Sequence, residues 1–185
     1  ICVEDPLREE AADAVRELKE AGITKVVMMT GDSERTAAAI AKRVGVDEYY
    51  SEVLPEDKAS FVEKEKELGH KVIMIGDGIN DSLALSSASV GIAISDGAAI
   101  AREIADVTIS ADNLHEIVTL KRLSTALMKR IHNNYRTIIG INGGLIALGV
   151  TGIIMPTTSA LLHNMSTLTI SLRSMRNLLP KEEEA

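Results

Sequence analysis

The segment Ile73-Met-Ile-Gly-Asp-Gly-Ile-Asn-Asp-Ser82 passes from an apolar run straight into a turn that carries two carboxylates, Asp77 and Asp81. Val72 to Ile75 reads as a buried strand. Gly76 and Gly78 let the backbone turn sharply and approach a ligand. Asn80 and Asp81 stand where the next helix would begin, and a helix N-terminus favours bound anions. Carboxylates at the C-terminal end of a strand, beside such a helix start, suit a Mg²⁺–phosphate site. Magnesium takes one or two carboxylates and completes its octahedron with waters and phosphate oxygens. The same residues also make an ordinary polar turn, so the flanking chain has to decide.

On both sides of this segment apolar runs alternate with helical spacing. Strands are expected at Val3 to Asp5, Lys25 to Met29, within Val46 to Val53, at Val90 to Ile94 and at Val107 to Ile109. Helices are expected from Leu7 to Ala21, Ser33 to Val44, Pro55 to Leu68, Asn80 to Ser87 and Gly97 to Ile104, and a long one from Asn113. Such alternation indicates an α/β domain with a parallel sheet covered on both faces. Ligands of such sheets bind beyond the carboxyl ends of the strands, where Asp5, Thr30, Asp32, Asp77 and Asp81 fall. Thr30 offers a hydroxyl, backed by the Gly31 and Asp32 amides at a helix start, which makes a phosphate cradle. Lys58 offers a point charge for phosphoryl oxygens. The glycine-rich loops G-x-x-x-x-G-K-[ST] and G-x-G-x-x-G are both absent.

Charge divides the chain. Residues 1–116 hold 24 acidic and 12 basic side chains, a net of −12, whereas residues 117–181 hold eight basic and no acidic ones. Nothing between Thr137 and Leu172 is charged, a run of 36 residues. That is long enough for two membrane-spanning helices of ~17–25 residues each. Lys121, Arg122, Lys129, Arg130 and Arg136 precede the run, and Arg173, Arg176 and Lys181 follow it. Basic flanks mark cytoplasmic ends, so the run is expected to be a hairpin with both ends inside. The expected layout is an α/β domain over 1–116, a linker helix over 117–136, spans over 137–155 and 156–174, and a tail over 175–185. Aromatics are 2% of the chain and the net charge is −7, which argues against nucleic-acid binding. One cysteine excludes an internal disulfide. The start at Ile1, already in a strand-like run, is expected to lie inside a longer protein.

Four groups of residues carry a resemblance: Asp5-Pro-Leu-Arg8, Thr30-Gly-Asp32, Leu54-Pro-Glu-Asp-Lys58 and Gly76-Asp-Gly-Ile-Asn-Asp81, with support from Gly91-Ile-Ala-Ile94 through Ala105-Asp-Val107. In these the chain resembles the P-type ATPases, whose phosphorylation (P) domain is a Rossmann-like fold of the haloacid dehalogenase superfamily. The resemblance implies that Thr30 and Lys58 bind the transferred phosphoryl group and that Asp77 binds Mg²⁺. It implies that Asp81 supports the magnesium site, that Asn80 contacts phosphate, and that Asp32, next to Gly31, orders the phosphate loop. ATP would be the phosphoryl donor, and an aspartate the nucleophile. That aspartate sits in a D-K-T-G motif that does not occur here, so this stretch is expected to be inactive alone. The nucleotide-binding and actuator domains would belong to the rest of the polypeptide. The family pattern G-I-A-M-G-x-G-T-D reads Gly91-Ile-Ala-Ile-Ser-Asp-Gly-Ala-Ala99 here, which puts local loop contacts in question.

Two spans after the P domain match the heavy-metal branch of the family. That implies an integral membrane pump, in a bacterial plasma membrane, with its P domain cytoplasmic. The second span is polar for a membrane helix, and such residues are costly in lipid unless they face a partner helix or cavity. His163, Met165 and Thr167 are its sharpest candidates for the transported metal, with Asn142 from the first span. Imidazole suits zinc and its neighbours, and thioether suits Cu⁺. His163-Asn-Met-Ser-Thr167 therefore points to a divalent soft metal (Zn, Cd or Co), with Cu⁺ as the alternative. Gly140, Gly143 and Gly144 are expected to permit close helix packing. A membrane-anchored phosphatase of the same superfamily would use the same phosphate site without transport.

Overall fold

The computed structural model describes residues 7–76, 80–94, 103–109 and 113–179. The chain forms two compact units, residues 1–118 and 119–185. In the first unit the order is α1 (Ala11–Glu20), β1 (Val27–Met29), α2 (Glu34–Val44), β2 (Glu48–Tyr50), α3 (Pro55–Glu67), β3 (Ile73–Gly76), α4 (Ser82–Ser87), β4 (Val90–Ile94) and β5 (Val107–Ile109). α5 (His115–Val150) starts in this unit and continues into the second, where α6 (Pro156–Ser174) follows.

Every strand pair is parallel, as the alternation of strands and helices requires. β1 pairs with β2 from Val27↔Glu48 to Met29↔Tyr50. β3, β4 and β5 form a second ladder, running from Ile73↔Val90 to Ile94↔Ile109. The pairing is thus in two hydrogen-bonded groups, where the sequence pattern led us to expect one sheet; the strand expected at 3–5 lies outside the described residues. The α1 helix starts at Ala11, four residues later than Leu7, because the Ala11 amide closes a turn on the Arg8 carbonyl at 3.1 Å. Its buried side chains, Ala11 and Ala14, both follow that turn. The helix expected at 97–104 and the loop with Ala98 and Ala99 lie mostly outside the described residues.

The core forms where α3 and α4 cover β3. Val62, Met74, Ala84 and Leu85 are buried together, flanked by Ala59, Val72, Ala88 and Ile104. Ile92 and Ala93 fill the middle of β4. The run Val90–Ile94 is apolar throughout because the central strand of a parallel sheet is covered on both faces. Gly91 is required by packing: a Cβ there would meet the Leu85 carbonyl oxygen at 2.6 Å. The Gly91 amide donates to Asp106 Oδ2 at 2.9 Å, so the loop ahead of β5 is tied back to β4.

In the second unit α5 and α6 form a helical hairpin. The turn between them carries Gly152 at φ +73°, and Pro156 opens α6 at its first position, where its missing N–H costs nothing. Arg130 of α5 donates to the carbonyls of Ser174 and Asn177 at 2.9 Å each and of Arg176 at 2.5 Å. Asn134 Nδ2 donates to Ser174 Oγ at 2.7 Å. The bond to Ser174 satisfies one of the carbonyls that the C-terminal end of a helix leaves open, and those to Arg176 and Asn177 fasten the chain just beyond α6.

Among the described residues, no helix is long and apolar enough to cross a membrane. The stretch expected at 156–174 coincides with α6, while the helix expected to reach 155 ends at Val150. The α5 helix stops at Val150, so Ile153 and Ile154 fall in the turn. An 18-residue helical stretch ending at Val150 then has to include Asn133, Asn134 and Arg136. The α6 helix is interrupted throughout by Thr, Ser, His163 and Asn164. A Cβ added at Gly140, Gly143 or Gly144 would meet nothing within 4 Å, so these glycines are not where the two helices of the hairpin meet.

Candidate functional site

Lys58 and Asp81, 23 residues apart, meet at the end of β3. Lys58 Nζ donates to Asp81 Oδ1 at 2.7 Å, with side chains only 16% and 11% exposed. Two local structures bring them together. Pro55 starts α3, and the Asp57 carboxylate accepts the Leu54 amide at 3.2 Å, which fixes the first turn that carries Lys58. Asp81 occupies the N-cap position of α4 and folds back over Gly76. A Cβ on Gly76 would lie 2.5 Å from Asp81 Oδ2 and 2.8 Å from its Cβ. Gly76 is therefore needed to seat this carboxylate. That differs from the sequence expectation, in which the glycine served a sharp turn. Asp81 is the buried charged residue of the described core. Burying a carboxylate is costly unless it is paired, and Lys58 pairs it. Asn80 is exposed beside it, and α4, at six residues, contributes little as a helix N-terminus. Asp77 lies outside the described residues.

Thr30, Gly31 and Asp32 form the second cluster, between β1 and α2. Thr30 Oγ1 donates to Asp32 Oδ2 at 2.7 Å and accepts the Asp32 amide at 3.1 Å. This loop is held to the chain after β2 by main-chain bonds. Thr30 N–H reaches the Tyr50 carbonyl at 3.0 Å, Val53 N–H the Thr30 carbonyl at 3.0 Å, and Glu52 N–H the Asp32 carbonyl at 2.9 Å. In the first turn of α2, Glu34 accepts Ser51 Oγ at 2.5 Å and Tyr49 OH at 2.8 Å. The hydroxyls of Ser51, first, and Tyr49 hold the Glu34 carboxyl below the usual range, and Tyr49 is raised in turn by Glu34. Glu34 was not expected from the sequence. Two surface concavities adjoin the second cluster without including Thr30, Gly31, Asp32, Lys58 or Asp81 in their lining. One of about 560 Å³ is lined by Glu34, Asp47, Glu48, Tyr49, Tyr50 and Ser51, and one of about 250 Å³ by residues from Met29 to Phe61.

The donor set limits where a magnesium ion would bind. No group of three His, Cys, Asp or Glu side chains that could hold a metal occurs among the described residues. Asp81 already has an ammonium on one oxygen, which competes with direct coordination. A hard-oxygen position supported by Asp81 fits magnesium, which needs few protein ligands; a position made by Asp81 alone does not.

In the hairpin, His163 of α6 and Asn142 of α5 are joined, Nδ1 to Oδ1, at 2.9 Å. With Oδ1 facing the ring, Nδ1 is the donor, and a neutral imidazole so held presents the Nε2 lone pair. Thr167 lies one turn on and donates Oγ1 to the His163 carbonyl at 3.1 Å. Met165, two residues after His163, projects to another side of α6, because successive helical residues are about 100° apart; it is 53% exposed.

The match to known proteins covers nearly the whole chain. Residues 1–89 match the family model for haloacid dehalogenase-like hydrolases. A zinc-exporting P-type ATPase of Mycobacterium marinum is 37% identical over 177 residues, 95% of this chain and 24% of the relative. A manganese-exporting P-type ATPase of Mycobacterium bovis is 37% identical over 177 residues, 95% of this chain and 25% of that protein. Further relatives over a similar span are named as copper exporters. The crystal structure of a zinc-transporting PIB-type ATPase in the E2.Pi state superposes with a TM-score of 0.86 at 33% identity, covering 96% of this chain and 29% of that one. The chain thus spans about a quarter of the length of the relatives it matches.

Proposed function

We propose that this chain supplies the phosphate-handling and final helical parts of an ATP-driven metal exporter, a reading supported by its match to haloacid dehalogenase-like hydrolases over residues 1–89 and by relatives named as heavy-metal-exporting P-type ATPases. The observation that carries this reading is the buried Lys58–Asp81 pair at the end of β3. It is a preformed, partly desolvated cation held at a strand terminus, where a transferred phosphoryl group would develop charge. In the proposed cycle an aspartate elsewhere in the polypeptide attacks the γ-phosphorus of ATP. The bond to the bridging oxygen breaks and ADP leaves, and water later hydrolyses the acyl phosphate. Lys58 and the Thr30 hydroxyl bind phosphoryl oxygens, with the Gly31 and Asp32 amides behind them and Asn80 at the rim. Asp77, supported by Asp81, would hold Mg²⁺, which neutralises phosphate charge when bound. Asp32 fixes the Thr30 hydroxyl through the 2.7 Å bond.

The hairpin is the membrane part of this proposal, inserted beside other helices of the same polypeptide with the first unit on the cytoplasmic side. Its polar residues favour packing in a bundle over exposure to lipid, while Ile138, Ile139, Ile146, Leu161, Leu168 and Leu172 are exposed for further contact. His163 is the proposed ligand for the exported metal. A ligating histidine usually donates its other ring N–H to a carbonyl or carboxylate, and the Asn142 Oδ1 contact has that form. Thr167 shares that side of the helix, and Met165 does not. This favours a divalent soft metal over Cu⁺, although relatives are named for zinc, manganese and copper. The test is ATP hydrolysis by the complete protein against a panel of Zn²⁺, Cd²⁺, Co²⁺, Mn²⁺ and Cu⁺. Stimulation by a divalent soft metal, lost in His163→Ala, is the expected result; hydrolysis that no metal stimulates would overturn it.

A further inference from the structure

We infer that the backbone of residues 50–54, turned at Glu52, sets the position of the Thr30 loop relative to Lys58, and that Glu52 is a positioning residue acting through its main chain. This rests on the phosphate-site reading above. The β1–β2 ladder ends at Met29↔Tyr50, yet the two segments stay joined past it by the amides of Thr30, Glu52 and Val53. Continued extended backbone past Glu52 would carry the Val53 amide away from the Thr30 carbonyl, which it meets at 3.0 Å. Instead Glu52 adopts φ +54°, in the left-handed region, the one non-glycine among the described residues to do so. That conformation is uncommon for an L-residue and a true outlier for a β-branched one. It persists where the surroundings over-determine it, and it clusters at binding loops.

The Glu52 side chain is exposed and makes no hydrogen bond or ion pair among the described residues, so the main chain is what the site uses. Directly after it, Val53 closes on Thr30, Leu54 begins the cap of α3, and the first turn of α3 presents Lys58. One short segment thus indexes both groups that bind phosphoryl oxygens.

The experiment measures inhibition of the complete ATPase by orthovanadate, a phosphate mimic, together with the KM for ATP and the thermal midpoint. Glu52→Val should weaken vanadate inhibition by about tenfold or more, since small misplacements at a reacting centre carry large rate penalties. The KM for ATP should stay unchanged. Glu52→Gly, which takes the left-handed turn freely, and Glu52→Gln should stay within about twofold of the parent. If Glu52→Val does not fold, Glu52→Ala decides, with an expected weakening of about threefold. Parent-like vanadate inhibition in the valine variant, or in the alanine variant when it decides, overturns the inference. So does a glutamine variant as impaired as the valine one, which would show that the carboxylate acts. Thr30→Ala separates the two levels: if it leaves vanadate inhibition unchanged, the phosphate-site reading fails, and the positioning inference with it.

Discussion

At the scale of single residues, the proposed phosphate site rests on one buried pair and the glycine that makes room for it. Lys58→Met leaves Asp81 buried without its cation, and removing one partner of such a pair is far more costly than removing both. With the residual exposure of both side chains, a loss of about 1–3 kcal/mol is expected, read as a shift in the urea midpoint. Adding Asp81→Asn should recover part of it, whereas activity should be lost in both variants. Gly76→Ala places a methyl where Asp81 Oδ2 sits. It should abolish ATPase activity and lower stability by at least as much as Lys58→Met, measured in the same melts. The places of Asp81, Lys58, Thr30 and Asp32 at strand ends and helix starts were legible in the sequence. Their pairing was not. A sequence gives spacing, and the Lys58–Asp81 contact depends on how α3 packs against α4, which Asp81 caps. Glu34 was equally hidden, since its partners Tyr49 and Ser51 become neighbours only after β1 and β2 pair.

Elements explain which parts of the fold were readable. The apolar runs at 73–75, 90–94 and 107–109 were recognisable as strands because buried parallel strands need continuous apolar character. The late start of α1 was not, because the turn at Arg8 to Ala11 is a hydrogen-bond pattern without a residue signature. Leu85, 1% exposed in the α3–α4–β3 core, should cost about 3 kcal/mol on truncation to alanine, measured by chemical denaturation. Asp47 joins α1 to β1: it accepts Lys19 Nζ at 2.7 Å and the Val26 amide at 2.7 Å. Those bonds, the Lys19 one first, hold its carboxyl below the ordinary aspartate range. Its folded-state pKa is thus depressed. The stability it contributes is present above the unfolded-state value and is lost as pH falls through the folded one. Asp47→Asn should therefore lower the thermal midpoint at neutral pH and flatten its fall in the acid range, seen in melts from pH 7 to pH 3.

For the molecule as a whole, the charge division at residues 116 and 117 was the clearest signal in the sequence, and the two compact units divide at 118 and 119. The second helix falls where expected, at 156–174, but the end of the first was not readable, because hydropathy cannot show that α5 ends at Val150 and leaves Ile153 and Ile154 in a turn. In the complete protein, Asn142→Ala should reduce metal-stimulated hydrolysis less than His163→Ala does, since it removes only the group that orients the ring. A metal titration of the ATPase rate would rank the two. The Arg130 clamp has a further consequence for acid conditions. The first unit ties its elements with carboxylates whose pKa is lowered by their lysine partners: Asp47 by Lys19 and Glu48 by Lys25. The hairpin closes instead on main-chain carbonyls, which take up no proton in that range, held by a guanidinium that does not lose one. Acid should therefore release the ties of the α/β unit one carboxylate at a time while this clamp holds, so that helical signal in detergent outlasts the tertiary signal of the sheet.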